Sequence, residues 1–212
     1  MLSKWHPTRA ICKVEETDAY TFLGVKVELM KDGGFKMSQK GLIRKVLATV
    51  RMEDSNTKAM PTAPTPLGTN ANGESLDEAS WGYPRVVGML LYPSTNSRPD
   101  IQFAAHQCAR FTHFPKKSHG EAVKRICRYL AGTADQGVEF NPTKAMELDC
   151  YVDADFAGLW NHEDDQDPVC VKSRTGYVIS LGGCPVLWVS KLQTEIALST
   201  LESEYIALSQ AM

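Results

Sequence analysis

Residues 148–156 read Leu148-Asp149-Cys150-Tyr151-Val152-Asp153-Ala154-Asp155-Phe156, and their pattern decides how the C-terminal part of the chain is read. As a β-strand the stretch puts Leu148, Cys150, Val152 and Ala154 on one face and Asp149, Tyr151, Asp153 and Asp155 on the other. Aspartate is a poor strand former, so three of them on one face need a reason. A solvated strand edge is one; a shared chemical task is the other.

The period of two continues outward from this strand. Val138 to Phe140, Thr175 to Leu181 and Val186 to Ser190 read as strands, the last two joined by a hairpin turn at Gly182-Gly183-Cys184-Pro185. A helix follows from Ser199 or Thr200, with Glu202 placed as a capping partner. Along it Leu201, Tyr205, Leu208 and Met212 form a narrow apolar stripe, which predicts the face turned to the sheet, and Glu204 falls beside that stripe. A carboxylate on a packing face is costly unless it is paired or binds a cation. If the helix lies on the sheet, Asp153 and Glu204 converge, and a hard divalent cation such as Mg²⁺ relieves their repulsion. A cationic side chain such as Lys191 or Lys172 is the alternative partner for Glu204.

Upstream, residues 19–30 alternate with one break near Gly24 and run into the turn signal Asp32-Gly33-Gly34, a hairpin pattern. A helix is predicted after Ser38, with Leu42, Val46, Leu47 and Val50 on its packing face and Lys40, Arg44 and Lys45 outside it. Residues 61–80, rich in Pro, Gly, Thr and Asn, predict a long surface connection. Three helices are predicted at about 81–94, 99–112 and 117–131, with breaks at Pro93, Pro99 and Pro115. Lys124 and Arg128 on the last, with Lys116, Lys117 and Arg125, join Lys40, Arg44 and Lys45 as candidate phosphate contacts; a solvated helix face is the alternative for each.

With 43% hydrophobic and 23% charged residues among 212, the composition excludes a disordered or fibrous chain. A net charge of -2 predicts no overall attraction to a polyanion, so any grip on nucleic acid must be local. Six scattered cysteines without a CxxC pair argue for buried, reduced thiols and against a zinc knuckle or a disulfide framework. His106, His113 and His119 have no ligand spacing and read as core or cap residues. The acidic stretch 159–170, with His162, Asp164, Asp165 and Asp167, reads as a solvated loop. No apolar run reaches membrane-spanning length and residues 1–7 have no leader pattern, which predicts an intracellular, cytoplasmic chain.

Three motif groups, in order and spacing, carry a family resemblance. YVDADFAG at 151–158, KSRTGYVISLGGCPVLWVSKLQ at 172–193 and STLESEYIALSQAM at 199–212 resemble the ribonuclease H domain of Ty1/copia-type retrotransposon polyproteins. RVVGMLLYPSTNSRPDIQFAAHQCARF at 85–111 and HGEAVKRICRYLAGTADQGVEF at 119–140 are similar to their connecting region, and YTFLGVKVELMKDGGFKMSQKGLIRKVL at 20–47 to the last palm hairpin and thumb start of their reverse transcriptase.

The resemblance implies a chain of α+β or α/β class: a helical thumb and connection region, then the first three strands and first helix of an RNase H-like mixed sheet, left incomplete. It implies reverse transcriptase elements at 1–60, a linker at 61–80, the helical connection at 81–142 and the truncated RNase H-like domain at 146–212. Asp153 matches the family's first catalytic aspartate and Glu204 its helix glutamate, both as Mg²⁺ ligands, while Asp155 fits only the local pattern. The implied activity is Mg²⁺-dependent hydrolysis of RNA in RNA–DNA hybrids. The implied partners are a hybrid or primer–template and the rest of the polyprotein. Because the family's third aspartate and its YxDD motif do not occur here, the expectation is an inactive fragment. A non-catalytic nucleic-acid-binding or scaffold remnant is the competing reading.

Overall fold

The computed structural model describes residues 19–65, 67–69, 72–77, 81–142, 145–160 and 169–212. Its first sheet begins where the hairpin was expected: β1 (Ala19–Phe22) and β2 (Val25–Leu29) are antiparallel. They turn at Leu23 and Gly24, both with positive φ, the backbone that two-residue hairpin turns require. β3 (Phe35–Ser38) pairs next to β2, and β4 (Gly137–Phe140) pairs next to β3. Val138–Phe140 is thus a strand as its alternation predicts, but it completes a sheet begun a hundred residues earlier. Its Gly137 is required, since a Cβ there would stand 2.0 Å from the Met37 carbonyl oxygen.

Four helices form the body. α1 (Lys40–Val50) buries Ile43, Val46, Leu47 and Val50 and ends at Arg51, in the left-handed conformation usual past a helix end. α2 (Tyr83–Asn96) buries Val86, Val87 and Leu90. It runs through Pro93 to Asn96, so the break expected at Pro93 comes four residues later, at Ser97. The Pro93 carbonyl accepts from the N–H groups of Ser97 and Arg98, which closes the helix around the proline. A 3₁₀ turn at Pro99–Ile101 leads into α3 (Gln102–Ala109), and α4 (Lys117–Gly132) buries Val123, Ile126, Cys127 and Leu130. All four helices share one hydrophobic core, to which Tyr83, Ile101, Ala105 and Cys108 belong. No described helix is long and apolar enough to cross a membrane.

The segment between α1 and α2 has no helix or strand among its described residues, apart from an isolated bridge from Ser75 to Lys116. Among the bonds that hold it, the Arg125 Nε donates to the Thr62 carbonyl at 2.7 Å, the buried His119 ring meets the Gly68 carbonyl at 2.8 Å through Nε2, and the Leu76 N–H donates to the Pro115 carbonyl at 2.9 Å. His119 Nδ1 accepts from the Lys116 N–H and Phe111 stacks on the ring, so His119 is a core cap, as its lack of ligand spacing predicts.

β5 (Leu148–Asp155), β6 (Arg174–Leu181) and β7 (Cys184–Leu192) form a second antiparallel sheet in that order, with the turn at Gly182 and Gly183 as predicted. α5 (Thr200–Ala211) lies against β5 and β6. Its cap follows the sequence signal: Ser199 Oγ accepts from the Glu202 N–H at 3.1 Å, and the Glu202 carboxylate accepts from the Leu198 N–H at 2.7 Å. The architecture is mixed α+β with two antiparallel sheets. Three antiparallel strands followed by a helix are compatible with the opening part of the sheet that the resemblance implies.

Candidate nucleic-acid site

Directly opposed residues of an antiparallel pair share a face. The register sets Asp153 opposite Gly176, Tyr151 opposite Val178 and Asp155 opposite Arg174. This face is turned toward α3, because the Arg174 guanidinium lies 4.9 Å from the Phe103 ring centre. Ala154 and Thr175 occupy the other face, where α5 is fastened: Gln193 Nε2 donates to Thr175 Oγ1 at 3.2 Å and to the Ser203 carbonyl at 2.8 Å. Gln193, Thr175 and Ser203 are all buried.

The packing face of α5 differs from the expected one. Ser203 and Ala207 are buried, while Leu201, Tyr205 and Met212 are 79%, 73% and 98% exposed. The small residues face the sheet because they let the helix axis approach β5 and β6 closely; the large apolar stripe points away. Glu204, one residue round from Ser203, flanks the contact and is exposed. Asp153 is exposed as well. The two acids therefore stand, both exposed, on elements that touch.

Mg²⁺ takes near-octahedral oxygen coordination. Among the described residues no three His, Cys, Asp or Glu side chains gather into a group able to hold a metal ion. Asp153 and Glu204 by themselves supply fewer oxygen ligands than a magnesium centre takes. His162, Asp164, Asp165 and Asp167 lie outside the described residues.

The basic candidates fall into two groups. Lys40 pairs with Asp135, and the Asp135 carboxyl is held below its ordinary value first by that hydrogen bond and also by the charges of Lys40, Arg44 and Lys36. Arg44 and Lys45 are exposed beside it on α1. Lys124 pairs with Glu121 on its own helix at 2.7 Å, and Arg128 is half-buried in α4. Each helix thus has one lysine neutralised by an acid, and α1 adds two exposed cations, Arg44 and Lys45, where α4 adds the half-buried Arg128.

One buried charge on this face was not singled out by the sequence pattern. Arg174 is 7% exposed and donates to Ser190 Oγ at 3.4 Å, the long limit of a hydrogen bond. Burial and the charge of Arg110 push its pKa down to about 10 against the pull of Asp155. The nearby His106 is pushed down by burial and by the Arg174 charge. An arginine opposite an aspartate in adjacent strands was the available signal, but only the register makes them neighbours. Of the described cysteines Cys150 alone is exposed, and burial raises the Cys108 and Cys127 thiols to about 12, which fits the expectation of inert, reduced thiols.

No family model and no solved structure matches the chain. Among curated proteins it is similar to the retrovirus-related Pol polyprotein from transposon RE2 of Arabidopsis thaliana, 34% identical over 191 residues, which is 90% of this chain and 12% of the relative. It is 35% identical over 184 residues to the Pol polyprotein from transposon TNT 1-94 of Nicotiana tabacum, 82% of this chain and 13% of that one. Along its whole length it is 27% identical to the transposon Ty5-1 protein YCL074W of Saccharomyces cerevisiae, covering 64% of it. The chain spans about an eighth of the Pol polyproteins it matches. With matches that run through both sheets and the helices between them, the chain belongs to the Ty1/copia-type retrotransposon Pol polyprotein family.

Proposed function

We propose that this chain is the part of a retroelement polyprotein that joins a polymerase's nucleic-acid grip to an RNase H-like sheet, and that by itself it binds RNA–DNA hybrid or primer–template without hydrolysing it. The carrying observation is the anchoring of α5 to the β5–β6–β7 sheet through Gln193, with Asp153 on the first strand and Glu204 on the helix. That supports the RNase H-like reading of 146–212. The cations of α1 support a backbone contact, in which the exposed Arg44 and Lys45, with Lys40 exchanging Asp135 for a phosphate, neutralise the backbone and release counterions. Lys124 and Arg128 add to it from α4.

That no three candidate ligands gather among the described residues favours binding without turnover. Magnesium would be held only where further oxygen ligands join these two. A labelled hybrid incubated with the chain and Mg²⁺ tests this: the expected result is salt-sensitive binding, weakened when Lys40, Arg44 and Lys45 are changed to alanine, and no cleavage. Cleavage that Asp153→Asn abolishes would overturn the non-catalytic half of the reading.

A further inference from the structure

A groove of about 350 Å³ lies between α3 and the outer face of the second sheet, with Phe103, Tyr151, Asp153, Gly176, Val178 and Ser190 in its lining. Its size falls in the ordinary range of about 300–1,000 Å³ for small-molecule clefts. Gly176 sits inside β6, the middle strand, where a glycine weakens pairing and contributes nothing to packing. Among the described residues nothing requires a glycine there. A Cβ at this position would find no atom nearer than the Asp153 carbonyl oxygen at 4.0 Å. Such a position marks a place where something outside the chain approaches the backbone.

The groove's walls offer planar apolar surface. Tyr151 is 64% exposed and Phe103 39%, although both belong to packed elements. Its charged lining group is an exposed carboxylate, Asp153, and outside the lining Arg174 lies buried against Phe103, two residues from Gly176 on the same face. No described carboxylate lies within ion-pair distance of that guanidinium. Aromatic faces, an acceptor for ring or amino N–H groups, and a buried cation that repels cationic guests and attracts a phosphate suit a nucleotide unit better than an arginine-bearing peptide.

We propose that this groove takes a base of an unpaired nucleic-acid strand, stacked against Tyr151 above Gly176. The proposal rests on the nucleic-acid reading above and adds a single-strand subsite to it. Stacking on an aromatic side chain is sequence-tolerant and independent of metal.

The test is titration of a fluorescent oligodeoxycytidine with the full chain in EDTA, beside Gly176→Val and Tyr151→Ala, with an RNA–DNA hybrid as the second ligand. Valine is a better strand former and its Cβ has room, so Gly176→Val keeps or raises the thermal midpoint while filling the groove floor. Both variants are expected to bind the single strand about tenfold more weakly or worse, and the hybrid as the unchanged chain does. If both bind the single strand as tightly as the unchanged chain, the groove assignment is overturned while the hybrid reading stands. If the unchanged chain binds neither ligand, both fall.

Discussion

The indole Nε1 of Trp188 donates to the main-chain carbonyl of Ser94 at 2.7 Å, with both residues buried, and so ties β7 to the last turn of α2. Gln102 Nε2 returns the contact from α3 to the Trp188 carbonyl at 3.1 Å. The helical body and the second sheet are held in register by these bonds, and the groove above Gly176 depends on that register.

Trp188→Phe keeps most of the apolar surface but removes the donor, leaving a buried carbonyl unpaired. The expected cost is about 1–3 kcal/mol. Chemical denaturation followed by circular dichroism checks it; a midpoint equal to that of the unchanged chain would mean that the bond does not fasten the two parts.

Arg98 is 1% exposed and spans Asp100 and the end of α4. Its Nε and Nη2 donate to the Asp100 carboxylate at 3.0 and 2.7 Å, and Nη1 donates to the Thr133 carbonyl at 2.8 Å. Tyr129 donates to the same carboxylate at 2.6 Å, below the guanidinium. Partial burial raises the Asp100 pKa, but the hydrogen bonds from Arg98 and Tyr129 and the Arg98 charge outweigh it and hold the carboxyl below its ordinary 3.8. A carboxyl depressed on folding gives stability that is complete above the unfolded value and lost as pH falls through the folded one. Stability is therefore expected to fall in acid below about pH 4, and less steeply in Asp100→Asn, as read by denaturation at stepped pH. Arg98→Met, which strands a partly buried acid, is expected to cost about 3 kcal/mol at neutral pH.

The outward apolar stripe of α5 gives the third prediction. Leu201→Lys and Tyr205→Lys are expected to change stability by no more than about 0.5 kcal/mol and to raise solubility, since both side chains already face water. Ala207→Leu is expected to destabilise by about 1–3 kcal/mol, because Ala207 is fully buried against the sheet. Thermal midpoints in the reverse order would restore the Leu201, Tyr205, Leu208 and Met212 face as the packing one.

How far the sequence could be read depends on the range of the interaction that decides each feature. Alternation over 148–156, the Gly182-Gly183 turn and the Ser199 cap with Glu202 are settled by residues within a few positions of one another, and each took the form its local pattern predicts. The helix of 40–50 and its packing face were nearly as legible, with Ile43 buried to completion and Leu42 half-buried. Pro93 was misread because a proline removes a donor but does not forbid a further turn when its own carbonyl accepts two later N–H groups.

The chain's pattern thus determined which segments are strands and helices, the α+β class and the family to which the chain belongs. Tertiary structure alone decided that β4 returns to β3 and that α5 turns Ser203 and Ala207 to the sheet in place of its larger stripe. Periodicity records that a face is apolar. Which face is buried depends on how closely two backbones can approach, and that is a property of the small side chains between them, visible only once both elements are in place.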